Sequence, residues 1–143
     1  MLVKQGSSVA IVHEWLDTVA GSEKVLEQFL ILFPDADLFV LVDFLANPER
    51  DLLHGRHPKT SFIQRLPGAR RRFRSYLPLM PLAVKQFDLS AYRLVVSNSH
   101  AFAKGVRTNP DQTHICYCHT PMRYAWDLQE EYLRVAGLDR GPK

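Results

Sequence analysis

The sequence predicts an α/β fold, one parallel sheet with helices packed against it. Three observations lead there: four short apolar runs, an amphipathic helix between the first two, and a length that suits one domain. The runs are Val9 to Val12, Leu38 to Val42, Leu94 to Val96 and Ile115 to Cys118. Each is too brief for a helix and is bounded by polar or turn residues, so each reads as a strand buried on both faces. Between the first two, Val25, Phe29, Leu32 and Phe33 recur at helical spacing, with Glu23, Lys24, Glu27 and Gln28 opposite. That pattern predicts a helix from about Ser22 to Phe33, with Ser22 as its N-cap and Pro34 stopping it. Strand, helix and strand make a βαβ unit, whose crossover is right-handed almost always. The 143 residues, 46% of them apolar, suffice for one core without metals or disulfides. A Rossmann-like sheet over residues 1–143 is the expected architecture.

The remaining elements follow in chain order. Ala46 to Lys59 is polar and carries Pro48, Gly55 and Pro58, so it reads as a surface excursion within the domain. Thr60 to Ile63 suits a short strand. Arg70 to Tyr76 and Pro81 to Phe87 read as helices, with Leu79, Ala83 and Phe87 spaced by four and Pro81 acceptable in a first turn. A last helix is expected from about Pro121, with Met122, Ala125, Trp126 and Leu133 on one side, before a patternless tail from Gly137 to Lys143.

Composition narrows the classes of function. Met1 to Ser8 mixes Lys4, Gln5 and serines before only four apolar residues, unlike a secretory leader. No apolar run approaches the roughly 20 residues that cross a bilayer, and a soluble, cytoplasmic chain is expected. Cys116 and Cys118 would lie on one face of a strand about 7 Å apart, too far for an unstrained disulfide. His119 beside them invites a zinc reading, but no second Cys or His pair stands at finger spacing, so two small buried strand residues are expected and no metal. The net charge of +3 is uneven: Arg65, Arg70, Arg71, Arg72, Arg74 and Lys85 occur without an acid between Arg65 and Phe87, leaving 12 cations against 15 acids elsewhere. A local basic patch points to an anionic surface. Arg70, Arg71, Arg72 and Arg74 beside Tyr76 to Met80 suit an anionic leaflet, although solvated helix faces also carry arginines. Only Phe73 and Tyr76 accompany them and no nucleic-acid motif does, so nucleic acid is not expected as a partner.

Ligands of open α/β sheets bind beyond the carboxyl ends of the strands. There the sequence places His13 to Asp17 with Ala20, Gly21 and Ser22, then Ser97 to His100, then His119 to Trp126. Gly21 and Ser22 at a helix start suit a phosphate, and equally an ordinary turn. His119 and His13 follow strand ends, where an imidazole either donates to a sugar hydroxyl or phosphate or packs under a helix. Trp15, Tyr124 and Trp126 suit the floor of a sugar site, or core packing. Glu23 in a first helical turn is accounted for by the dipole. No nucleophile arrangement is apparent.

Several phrases together resemble glycosyltransferase family 4, and more narrowly its bacterial mannosyltransferase-like members of surface-polysaccharide assembly. They are Val9 to Leu16, Gly21 to Leu26, Leu77 to Leu82 with Gln86 to Asp88, Ser97 to Gly105, and His114 to Asp127. The phrase His119 to Asp127 is the most specific, and the similarity runs from about residue 8 to 139. The resemblance implies the N-terminal, acceptor-side half of a GT-B enzyme, with metal-independent, retaining transfer from a sugar nucleotide as co-substrate and no other cofactor. It implies that Gly21 and Ser22 meet the donor diphosphate and that His119, the candidate catalytic residue, contacts the transferred sugar. His13, Ser99, Arg123 and Trp126 become candidates for the acceptor or sugar side. Family members carry a second glycine where this chain has Ala20, and they continue into a donor-binding domain that supplies the rest of the site. A transferase piece inactive by itself is therefore expected, working on a lipid-linked or polysaccharide acceptor, peripheral on the inner membrane. The alternative is a non-catalytic module that binds an anionic membrane through Arg65 to Arg74.

Overall fold

Five parallel strands in the order β3-β2-β1-β4-β5 form the centre of the molecule. A computed structural model describes residues 8–120. The strands are β1 (Val9–Leu16), β2 (Asp37–Asp43), β3 (Lys59–Thr60), β4 (Leu94–Ser99) and β5 (Thr113–Cys118). Helices α1 (Gly21–Leu32), α2 (Ala69–Arg72) and α3 (Met80–Lys85) accompany 3-10 segments at Asn47–Leu53, Phe62–Arg65, Phe73–Leu79 and Ala103–Gly105. The result is Rossmann-like, as the four apolar runs predict. No helix among the described residues is long and apolar enough to cross a membrane.

Strand alternation sorts the core into two layers. Ala10, Val12, Phe39, Leu41 and Val95 face Phe73, Met80, Ala83 and Val84 on one side of the sheet. Ile11, Leu38, Val40 and Val96 face Leu26, Leu30, Leu52 and Leu53 on the other. The excursion after β2 thus contributes Leu52 and Leu53 to the core.

Two strands run further than their apolar runs indicate. β1 continues through His13, Glu14, Trp15 and Leu16, paired with β2 as far as Leu16 opposite Asp43. β4 continues through Ser97, Asn98 and Ser99, paired with β5 as far as Ser99 opposite Cys118. Their polarity suggests loops beyond the strands, but they are buried with polar partners, so the ladder persists. Conversely, β3 stops after Thr60. The Ser61 hydroxyl donates to the Leu41 carbonyl at 2.7 Å and accepts the Ile63 N–H, turning Phe62–Arg65 into a 3-10 segment in place of the expected strand.

Helix α1 also differs in detail. Its N-cap is Ala20, not Ser22, because the Glu23 carboxylate accepts the Ala20 N–H at 2.9 Å and supplies the capping interaction itself. Its buried residues are Glu23, Leu26 and Leu30, with Phe29 and Phe33 partly buried and Leu32 67% exposed. The inward face is rotated because Glu23 is drawn in by a polar partner. At the other end, the Arg56 guanidinium donates to the carbonyls of Leu30, Phe33, Pro34 and Ala36, satisfying helix-end acceptors.

The arginine segment is helical as expected, divided into α2, a 3-10 turn and α3. Met80, Ala83 and Val84 are the buried side chains of α3, while Leu79 is exposed. The expectation that β5 is buried on both faces is not met. Cys116 and Cys118 are exposed, and Ile115 and Tyr117 are 53% and 47% exposed. The physical reason is position: β5 is the terminal strand of the described sheet and pairs with β4 alone among the described residues. The expected helix from Pro121 and the tail lie outside the described residues.

Candidate functional site

Strand order defines where a crevice opens. β2 and β3 lie on one side of β1, β4 and β5 on the other, so the connections diverge at the β1–β4 junction. Parallel sheets bind ligands beyond the carboxyl ends of the strands at such a switch point. At this junction His13 of β1 stands opposite Asn98 of β4, which stands opposite Tyr117 of β5. Alternation turns His13 and Asn98 toward α1.

A continuous chain of hydrogen bonds links α1 to the end of β5. His13 Nε2 lies 3.2 Å from Glu23 Oε1. Asn98 Nδ2 lies 3.1 Å from His13 Nδ1 and donates to the Ser22 carbonyl at 2.8 Å. Asn98 Oδ1 lies 2.5 Å from His119 Nε2. These contacts assign the protons. The Ser22 carbonyl only accepts, so the Asn98 nitrogen faces it. His13 Nδ1 then accepts from the same amide, and its Nε2–H donates to Glu23. By the same logic His119 Nε2–H donates to Asn98.

Burial pushes the Glu23 carboxyl up, but the hydrogen bond from His13, with those from the N–H groups of Ala20 and Glu23, outweighs it and holds it at about 2. Glu23 is thus an anion at neutral pH. Burial lowers His119. That direction favours the neutral imidazole of His119 at pH 7. Its engaged Nε2–H changes the expectation that it donates to a ligand: Nδ1 remains, and in the neutral ring Nδ1 accepts.

A second polar centre supports the first from the opposite face of the sheet. Glu14 is fully buried and accepts the Ser99 hydroxyl at 2.7 Å and the N–H groups of Ala101, Phe102 and Ala103 at 2.8–3.0 Å. Ser99 also accepts the Lys104 N–H. A buried carboxylate saturated by four donors fixes the turn after β4. That turn carries His100, whose ring meets Trp15 edge-on at 5.0 Å and which burial lowers despite Glu14.

The sequence-derived candidates therefore divide. Gly21 and Ser22 lie at the crevice with His119, and a Cβ at Gly21 would meet nothing within 4 Å. His13 is 1% exposed with both ring nitrogens engaged, and Ser99 is fully buried with internal partners. Both support the site from behind. Arg123 and Trp126 lie outside the described residues. Asn98, Glu14 and Glu23 hold the site together; the sequence places Asn98 and Glu14 in the polar segments at the strand ends without a role of their own, and accounts for Glu23 by the helix dipole alone. The available signal was a polar side chain inside an otherwise apolar strand. No cluster of three or more His, Cys, Asp or Glu among the described residues is placed to hold a metal ion.

The basic segment borders the same rim. Arg74 lies over Phe73 at 4.6 Å and pairs with Asp17, just past β1, at 3.3 Å. Trp15 packs on Phe73 and on His100. A groove of about 660 Å³ lined by residues including Lys85, Asp88, Arg107 and Gln112 lies elsewhere, beside the segments that enter β4 and β5. It contains none of the hydrogen-bonded chain.

Because Glu23 titrates lower in the fold than its ordinary 4.5, the unfolded chain binds more protons between those values. Its contribution to stability is present above pH 4.5 and is lost as pH falls toward 2. Urea unfolding across that window is expected to show a steeper loss for the natural chain than for Glu23→Gln. Parallel profiles would remove Glu23 as the responsible carboxylate.

No protein-family model, no curated protein and no solved structure matches this chain.

Proposed function

We propose that this chain is the acceptor-side domain of a retaining, sugar-nucleotide-dependent glycosyltransferase acting on a lipid-linked or polysaccharide acceptor, mannosyl transfer being one case. The observation that carries the reading is the junction of the first turn of α1 with His119. Two segments expected to meet the donor diphosphate and the transferred sugar are joined through Asn98, which bonds the Ser22 carbonyl and His119 together. Free N–H groups of a first helical turn attract a diphosphate. The neighbouring imidazole Nδ1 accepts a sugar hydroxyl. Transfer itself also requires the donor-binding half that the resemblance implies.

Nuclear magnetic resonance titration with guanosine and uridine diphosphate sugars tests this. The amides of Gly21 to Lys24 are expected to shift. Gly21→Ala is expected to fold normally, since its Cβ has room, yet to weaken the response by crowding the approaching phosphate. Shifts confined to remote surface amides would contradict the reading.

A second reading, compatible with the first, is favoured by the exposure of Arg65, Arg70, Arg71 and Arg72. Among the described residues none of these four makes an ion pair, and Leu79 and Leu82 lie exposed just after them. Each cation near an anionic leaflet contributes about 1 kcal/mol, so Arg70, Arg71 and Arg72 supply about 3 kcal/mol toward reversible recruitment. Arg74 is partly committed to Asp17. Sedimentation with anionic vesicles is expected at low salt and is expected to fall when Arg70, Arg71, Arg72 and Arg74 become Gln. Binding unchanged by those substitutions would exclude the patch as a membrane contact.

A further inference from the structure

We infer that Asn98 is a positioning residue that holds His119 in one tautomer, presenting Nδ1 as a hydrogen-bond acceptor, so that the ligand group meeting His119 is a neutral hydroxyl and not a phosphate oxygen. The inference deepens the proposed sugar-transfer reading and rests on it for the identity of the hydroxyl as a sugar's.

The argument is one of donor and acceptor counting. Asn98 is fully buried, and its amide is exhausted by three partners from three elements: the Ser22 carbonyl in α1, His13 Nδ1 in β1 and His119 Nε2 after β5. Reversing the amide would set its oxygen against both the Ser22 carbonyl and the lone pair of His13 Nδ1. His13 cannot switch tautomer to relieve this, because its Nε2–H is committed to the Glu23 carboxylate, itself held by the Ala20 N–H. Glu23 therefore sets His13, His13 and Ser22 set Asn98, and Asn98 sets His119. The His119 backbone is fixed independently by its N–H to the Ser99 carbonyl at 2.9 Å. Nδ1 makes no hydrogen bond to a described residue, and in a neutral ring it has a lone pair and no proton. A phosphate oxygen placed there would face that lone pair, whereas a hydroxyl can donate to it. The diphosphate and hydroxyl sites are thereby separated by polarity: N–H donors at Gly21 and Ser22, an acceptor at His119.

The test is nitrogen-15 resonance spectroscopy of the histidine rings in the 143-residue chain at neutral pH. The expected result is a single His119 tautomer with a pyrrole-type Nε2, a pyridine-type Nδ1, and an Hε2 proton protected from exchange with water. In Asn98→Ala, Hε2 is expected to lose its protection and both tautomers to appear. If that variant does not fold, the natural-chain spectrum still decides. A protonated Nδ1, or an unprotected Hε2 in the natural chain, overturns the inference. Methyl α-mannoside is expected to shift Nδ1, while dimethyl phosphate, an anion without a P–OH donor, is expected to shift only the Gly21 to Lys24 amides. Dimethyl phosphate shifting Nδ1 as strongly, or neither probe shifting it, overturns the hydroxyl assignment. The tautomer is read with no sugar nucleotide present, so its failure and the failure of donor binding at Gly21 are separate results.

Discussion

A primary amide buried between two strands has to place two donors and an acceptor without water, and Asn98 does so by tying three elements to one point. An unsatisfied buried polar group costs roughly 1–3 kcal/mol. The start of α1, the end of β1 and the turn after β5 are therefore held to the geometry that satisfies this amide. No buried side-chain nitrogen or oxygen among the described residues is left without a partner. The polar interior at the β1–β4 junction is thus complete in itself and fixes the first turn of α1 relative to His119.

Glu14 performs the corresponding task on the other face. Parallel strands that emerge from an apolar sheet normally end where their polar residues begin, yet β1 and β4 extend past theirs because Glu14 and Ser99 satisfy each other and the following turn. Extending both strands brings the switch point to the level of α1's first turn. Trp15, on the same strand, packs against His100 and Phe73 and so joins the turn after β4 to the segment that carries the exposed arginines. The candidate ligand site and the basic segment consequently share one rim.

The sequence made the sheet legible because burial on two faces leaves near-continuous apolar runs, and the four it contains became the four longer strands. Helix α1 was legible from periodicity, but its inward face was not: Leu26 and Leu30 face the core, and Glu23 joins them because its partner His13 lies across the layer. Gly21 and His119 could be chosen from local context, since a helix start and a strand end are local features. Asn98 and Glu14 could not, because their partners include residues 85 positions away in the chain. Their significance appears only when β1 and β4 are adjacent. The exposure of Cys116 and Cys118 was hidden for a related reason: an apolar strand reads the same whether or not a further element covers it.

The central claim is that Glu23 and His119, which do not touch, are energetically one unit through His13 and Asn98. A double-mutant cycle with Glu23→Ala, His119→Ala and the pair, read by urea unfolding at pH 7, measures this directly. Residues in one hydrogen-bond network couple by about 0.5–3 kcal/mol, whereas independent sites add within about 0.3–0.5 kcal/mol. The account predicts a coupling energy in the first range. Additive losses would show that the two ends of the chain act separately and would contradict it.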